Sequence, residues 1–274
     1  MKSTPFAHRL GFTLSQDARV GLLTVGMLVV AALILPATIV SKLDLVGYAV
    51  CHRISDRSFI IGGTQLPMCA RDTGMFGSTL LCVLGCLVVR PARVAKFPQL
   101  RFWPVLVAFG LMWAADGFNS YMLLATGRVF YYVPLNSVRL LTGALMGVAL
   151  ASFVLPFFNE AVWSPKIRGN EPVIQSWGTL LILVFIALAW VAFVLWQPGV
   201  LYGAYALIST LGTVMLLSIV NSLVVVLLTH RENTLVSWRQ FTLPFLIGVT
   251  LSVGEIAAIG ALRSFITARM NLPF

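Results

Sequence analysis

Long apolar stretches with very few charges constrain the fold of this chain more than any other feature. The clearest is 20–40, which contains no charged residue. About 20 apolar residues let a helix cross the hydrocarbon core of a bilayer, and lipid offers the backbone no hydrogen-bond partners, so such stretches are expected to be helical. Six more follow, at 73–89, 102–126, 133–158, 176–197, 200–229 and 241–267. The sequence therefore predicts an all-α integral membrane protein with about seven transmembrane helices.

The composition agrees with a lipid environment. Hydrophobic residues make up 59% of the chain and charged residues 10%, whereas soluble domains have about 45–50% apolar and about 25% charged residues. The formal net charge is +10, but the basic residues lie at the ends of the apolar stretches, where they contact headgroups. We therefore expect the lipid bilayer as the partner, with other membrane subunits as a further option, and no nucleic acid.

The distribution of basic residues predicts a multi-pass protein of the cell membrane with a cytoplasmic N-terminus and an extracytoplasmic C-terminus. Cytoplasmic loops of membrane proteins carry the excess of Lys and Arg. In this orientation the cytoplasmic residues are Lys2, Arg9, Arg19, Arg90, Arg93, Lys96, Arg101, Lys166, Arg168, Arg231 and Arg239. The polar stretch 159–175 predicts a cytoplasmic linker between a front half, 1–158, with four spans, and a back half, 176–274, with three.

The segment between the first two spans, 43–72, is called the motif segment below. It contains Cys51-His52-Arg53, Arg57-Ser58-Phe59 and Cys69-Ala70-Arg71-Asp72. It is too polar to span a membrane and too apolar for an ordinary solvated loop. A re-entrant or interfacial segment is expected here.

The motif segment and a second pattern downstream resemble a known family. The second pattern is Asp116-Gly117-x-Asn119, followed by Asn136-x-x-Arg139-x-x-Thr142-Gly143 and Gly147. Together they resemble the bacterial and archaeal membrane protein family called domain of unknown function 2085, over roughly 46–150. Many members of that family carry a second cysteine where this chain has Asp72, which weakens a site of four thiolates. The family name implies no activity, and the helices after 176 lie outside the resemblance.

Cys51, His52, Cys69 and Asp72 have three interpretations. Thiolate, imidazole and carboxylate ligands could close a site for zinc or another transition metal, although adjacent residues on a helix point about 100° apart. A disulfide between Cys51 and Cys69 would fit the extracytoplasmic side. Simple packing of these residues is the third interpretation.

Ionisable residues inside the apolar stretches are costly and face a bundle interior or water. Asp116, Arg139 and Glu255 are of this kind. Asn119 and Arg139 each lie about 7 residues from the turn between the third and fourth spans, which places both roughly 10 Å below the outer surface. We expect them to line an outward-facing polar pocket with an Asp116–Arg139 ion pair, covered by the motif segment. The candidate ligand-binding residues around it are Arg53, Arg57, Arg71, Asn119 and Asn136.

Three functions remain open from the sequence. In the first, an enzyme or binding protein acts on a small anionic or lipid-like ligand, with His52, Asp116 and Arg139 as catalytic candidates and His52 or Asp116 as the general base. In the second, a transporter has Asp116, Arg139 and Glu255 along its pathway. In the third, the chain is a structural or assembly subunit of a larger membrane complex.

Overall fold

The computed structural model describes residues 23, 25–26, 39–89 and 93–270, and these residues form an almost entirely helical structure. The helices are α1 Ile39–Val50, α2 Ala70–Val89, α3 Trp103–Thr126, α4 Asn136–Val162, α5 Trp177–Trp196, α6 Tyr202–Leu228 and α7 Trp238–Met270. Strands β1 Ile60–Ile61 and β2 Thr64–Gln65 pair antiparallel, and β3 Val94–Lys96 pairs parallel with β4 Gly169–Pro172.

The expected all-helical membrane fold is confirmed. Five of the described helices, α2 and α4 to α7, are long and apolar enough to cross a membrane. Helix α3 has 24 residues but is more polar, because it contains Asp116, Asn119 and Ser120. The predicted first span, 20–40, lies almost entirely outside the described residues.

The helices from α2 to α7 run alternately up and down, which gives the bundle two ends. At one end, the motif end, the end of α1 meets the start of α2, and Gly62 lies so close to Gly199 that a Cβ added to Gly62 would be 3.3 Å from the Gly199 Cα. At the other end, the basic end, β3 pairs with β4. The described basic residues there are Arg93, Lys96, Arg101, Lys166, Arg168, Arg231 and Arg239.

Helices α2 and α4 approach each other more closely than ordinary side chains permit. A Cβ on Gly143 would lie 2.1 Å from the Arg71 carbonyl oxygen, and one on Gly147 would lie 2.6 Å from that of Met75. Small residues at a helix interface allow this backbone contact in membranes. The contact fixes the start of α2, and with it the motif segment, against the start of α4.

The back half of the chain also holds the motif segment. The Trp190 indole N–H on α5 donates to the Thr73 carbonyl at 3.0 Å, and the Tyr202 hydroxyl donates to the Gln65 carbonyl at 3.1 Å. The predicted division into two halves stays a prediction. Helix α4 continues to Val162, beyond the predicted start of the linker at 159, because Phe158 and Val162 are buried against α6 and α7 residues.

Candidate functional site

Cys51 and His52 leave α1 in an irregular turn. The Cys51 N–H still donates to the Gly47 carbonyl at 2.9 Å, but Arg53 has a φ of 54°, in the left-handed region. On a continuous helix the two adjacent side chains would diverge. Because α1 ends at Val50, the side chains of Cys51 and His52 are free to converge.

Gly47 brings this turn next to the start of α2. A Cβ at position 47 would lie 2.0 Å from the Pro67 carbonyl oxygen, so the chain at 67–69 crosses α1 in direct backbone contact, which glycine permits. Cys69, the residue before α2, is thereby placed beside Cys51. The Cys69 N–H donates to Cys51 Sγ at 3.2 Å.

Cys51, His52 and Cys69 each offer one metal-ligand atom, and these atoms lie within 4.8 Å of one another. Both cysteines are free thiols and only 5% exposed, whereas His52 is exposed. Asp72, the fourth ligand predicted from the sequence, is outside this group. Its charge nevertheless acts on the other three. Three predicted ligands thus converge, and the carboxylate lies nearby.

The hydrogen bond between the two thiols makes them unequal. Donation by the Cys69 thiol lowers the pKa of Cys51, helped by the backbone N–H groups of Arg53 and Cys69. The same bond, together with burial, raises the pKa of Cys69. Desolvation lowers the pKa of His52 and so favours its neutral form. Thiolate and neutral imidazole are the forms that bind transition metals.

Asp116 is the acceptor at the centre of a second cluster, in the motif-end half of α3. Its side chain is 2% exposed. Arg71 donates to Oδ2 from Nε at 3.0 Å and also from Nη2, and the Tyr132 hydroxyl donates to Oδ1 at 2.5 Å. Burial and the bond to Asp116 raise the pKa of Tyr132 to about 12, so this phenol stays a donor.

The predicted Asp116–Arg139 ion pair is wrong, because Arg71 takes that place. The Arg71 guanidinium lies beside Gly117, where an added Cβ would be 3.7 Å from Arg71 Nη1, an ordinary contact distance. Arg139 instead donates from Nε to Ser120 Oγ at 3.3 Å and from Nη1 to Asn136 Oδ1 at 2.8 Å.

Asn136 and Arg57 connect this cluster to the motif segment. Asn136 Nδ2 donates to the carbonyls of Asp56 at 3.2 Å and Ser58 at 3.3 Å. Arg57 Nη2 donates to the Ser120 carbonyl at 2.9 Å. The short helical turn Ser55–Arg57 is therefore tied to both α3 and α4.

Asn119 fixes the turn between α3 and α4. Its Nδ2 donates to the Tyr132 carbonyl and its Oδ1 accepts from the Tyr131 N–H, both at 2.9 Å. Asn119 is itself fully buried, and both bonds are partly buried. They hold Tyr132 where its hydroxyl reaches Asp116.

Asn119→Ala is expected to destabilise the protein by about 2 kcal/mol, because it removes two partly buried hydrogen bonds that fix the backbone of this turn. Thermal unfolding of the purified protein in detergent measures the change. Thr126→Ala is the control, since its hydroxyl bonds the exposed backbone of the same turn, and it is expected to change stability by no more than about 0.5 kcal/mol. Equal effects of the two substitutions would contradict this role of Asn119.

Arg53 and Arg263 contact residues of α1 and of the turn that follows it. Arg53 pairs with Asp44 at 2.9 Å. Arg263 on α7 donates to the carbonyls of Tyr48 at 2.6 Å, Cys51 at 2.5 Å and His52 at 3.1 Å. A cavity of about 430 Å³ opens here, and it is lined by Tyr48, His52, Arg53, Ile54, Ser55, Gln65 and Arg263.

Glu255 belongs to a different group of polar residues. It accepts from Asn221 Nδ2 on α6 at 2.8 Å, and the same amide nitrogen donates to Ser252 Oγ at 3.0 Å. No described contact links Glu255 to Asp116 or Arg139. The residues predicted from the sequence therefore fall into three places: the Cys–His group, the Asp116 cluster, and the contact of Glu255 on α7 with Asn221 on α6.

Three residues of the site were missed by the sequence analysis. Ser120 and Tyr132 lie beside predicted residues, and Ser120 could have been found as the next helical neighbour of Asp116, four residues on. Arg263 lies inside the predicted span 241–267 and is assigned no role by the sequence. Nothing in the sequence places its side chain on the carbonyls that end α1.

Part of the chain matches a known protein family. Residues 51–153 match the family described as "Predicted membrane protein (DUF2085)". Over this region the chain is similar to that family. This region contains the Cys–His group and the whole Asp116 cluster, whereas Trp190, Tyr202 and Arg263 lie outside it.

One relative supports the DUF2085 assignment. It is an uncharacterized protein of Methanocaldococcus jannaschii, 27% identical over 114 residues, which are 42% of this chain and 67% of the relative. No solved structure matches the chain.

Proposed function

We propose that this membrane protein holds a thiolate-binding divalent transition metal, zinc in the first place, at Cys51, His52 and Cys69. The observation that carries the proposal is the convergence of their ligand atoms within 4.8 Å. Tetrahedral zinc with Zn–S bonds of about 2.3 Å keeps its ligand atoms about 3.8 Å apart. Each ligand atom therefore has to move by less than about 1 Å to close the site.

His52 has to change one hydrogen bond to become a ligand. Its Nδ1 accepts from the Ile54 N–H at 3.0 Å in an exposed position. Ligation through Nδ1 replaces this bond, which costs about 1 kcal/mol. A metal–imidazole bond offsets that cost, since structural zinc sites gain about 10 kcal/mol or more.

Three protein ligands leave one coordination position open, as in catalytic zinc sites. His52 is exposed and lines the cavity of about 430 Å³, so a molecule from outside the membrane can reach the open position. We place the basic end of the bundle in the cytoplasm, in line with the orientation predicted from the sequence. The metal site then faces the extracytoplasmic side, and the cavity beside it, which Arg53 and Arg263 line, favours an anionic ligand.

Metal analysis of the full-length protein, purified without chelators, tests the proposal. We expect about one zinc ion per chain, and a loss of that zinc in Cys51→Ser and in Cys69→Ser. Cys86→Ala is the matched control, because Cys86 is a buried thiol of α2 outside the group. Cobalt substitution should give thiolate-to-metal charge-transfer absorption in the control and not in the serine variants.

Counting thiols in the same preparation separates the metal site from a disulfide. Zinc-free protein with two thiols fewer than its four cysteines would point to a Cys51–Cys69 bridge and against the proposal. Metal that stays bound in both serine variants would also contradict it.

A further inference from the structure

Three arginine side chains from three different segments meet at Ser120. Arg57 donates to its carbonyl at 2.9 Å, while Arg71 and Arg139 both donate to its hydroxyl, at 3.1 and 3.3 Å. Two guanidinium groups that share one hydroxyl oxygen lie close together. Their mutual repulsion needs a compensating negative charge.

Among the described residues, the Asp116 carboxylate is the one negative charge that contacts these arginines. Asp116 neutralises Arg71, and Asp72 lies on the side of the thiols, where its charge acts on Cys51, His52 and Cys69. Arg139 is 5% exposed, and its partners are the neutral Ser120 and Asn136. A buried charge without an opposite charge costs several kcal/mol.

We propose that Arg57, Arg71 and Arg139 form a binding site for a phosphate-type oxyanion. The proposal names the ligand of the site described above and in that sense rests on the proposed function, but the arginine contacts do not need the metal ion. A tetrahedral oxyanion offers several oxygen acceptors and up to two negative charges, which match three forked donors of which only Arg71 is paired with a carboxylate. A carboxylate offers only one planar pair of oxygens.

The oxyanion site lies next to the candidate metal centre. The charges that act on Arg139 include those of Arg57, Arg71, Asp116 and Cys69, and His52 in turn feels Arg57, Arg71 and Arg139. An anion held by the arginines therefore interacts electrostatically with the metal-ligand group. Ser120 lies six residues before the end of α3, about 9 Å inside the helix end, a depth suited to the phosphate of a lipid as well as to free phosphate.

Thermal unfolding of the full chain in phosphatidylcholine nanodiscs, titrated with inorganic phosphate, tests the proposal. Ionic strength is kept constant with chloride. Phosphate that binds the folded state raises the unfolding temperature in a saturable way. Arg139→Gln and Arg57→Gln are expected to weaken phosphate binding roughly 10- to 100-fold, since each removes a charged hydrogen-bond donor. Arg57 lies on a surface turn, so its variant is expected to fold even if the Arg139 variant does not.

Two more variants sharpen the test. Arg128→Gln removes the same charge from an exposed position at the motif end and should bind phosphate like the unmodified protein. Asp116→Asn removes the single counter-charge of the cluster and should bind phosphate more tightly. Cys51→Ser should keep the phosphate response, which separates a failure of the metal site from a failure of the oxyanion site.

The source of the phosphate group is decided by a second set of nanodiscs that contain phosphatidic acid. If the site takes a lipid headgroup, phosphatidic acid stabilises the protein and removes the effect of added phosphate. If it takes soluble phosphate, the titration is the same in both lipids. The proposal is overturned if chloride and phosphate act alike on the unmodified protein, or if Arg57→Gln and Arg128→Gln bind phosphate equally well.

Discussion

Gly143→Ala is expected to destabilise the protein by about 3 kcal/mol, at the upper part of the range for overpacked interiors. The added Cβ would lie 2.1 Å from the Arg71 carbonyl oxygen and 3.1 Å from the Met75 backbone nitrogen. Both neighbours are backbone atoms of α2, so no change of rotamer can relieve the contact. Helix α2 has to move away from α4.

The displacement should reach the oxyanion site as well. The Cβ added at position 143 would clash with the backbone carbonyl of Arg71, and the side chain of Arg71 pairs with Asp116. We therefore expect the phosphate response of Gly143→Ala to weaken together with its stability. Thermal unfolding with and without phosphate measures both effects in one experiment.

Gly110→Ala is the matched control for this prediction. The nearest atom to a Cβ at position 110 is the Met146 Sδ at 3.9 Å, an ordinary van der Waals distance. Because alanine is the better helix former, this variant should be neutral or stabilised by up to about 1 kcal/mol. A Gly143→Ala protein as stable as Gly110→Ala would show that the α2–α4 backbone contact is not tight.

The sequence was sufficient to place the polar residues near one end of the bundle but not to identify their partners. Counting residues from the α3–α4 turn places Asp116, Asn119 and Arg139 in the half of their helices nearest that turn, because both helices rise by a fixed amount per residue. The choice of Arg71 over Arg139 as the partner of Asp116 depends on how α2 packs against both. The motif Gly143-x-x-x-Gly147 indicated a close neighbour without indicating which helix it was.

The convergence of Cys51 and His52 depended on where α1 ends. Helical geometry argues against two adjacent ligands, and no glycine or proline directly after Val50 marks the end of the helix. The end is instead set by tertiary contacts, the backbone crossing at Gly47 and the Arg263 side chain on three carbonyls. Such contacts between residues far apart in the chain cannot be derived from local pattern.

Arg263→Gln is expected to weaken metal binding about 10- to 100-fold, as loss of a hydrogen bond that orients metal ligands typically does. Arg263 binds the carbonyls of Cys51 and His52 and stacks its guanidinium 4.4 Å from the Tyr48 ring centroid. It touches no ligand atom, so it acts as a positioning residue for the turn. Without it, the two ligands sample more orientations, and closing the metal site costs more conformational entropy.

A competition titration with a chromogenic zinc chelator measures this affinity, and the cobalt charge-transfer spectrum reports the geometry of the ligands. Arg269→Gln is the control on the same helix, because Arg269 is exposed and contacts only the Phe265 ring among the described residues. Arg263→Lys should recover part of the affinity, since one ammonium group cannot reach three carbonyls at once. If Arg263→Gln binds zinc as tightly as Arg269→Gln with an unchanged cobalt spectrum, the turn is held by Gly47 and the Cys69–Cys51 contact alone, and the back half of the chain does not shape the metal site.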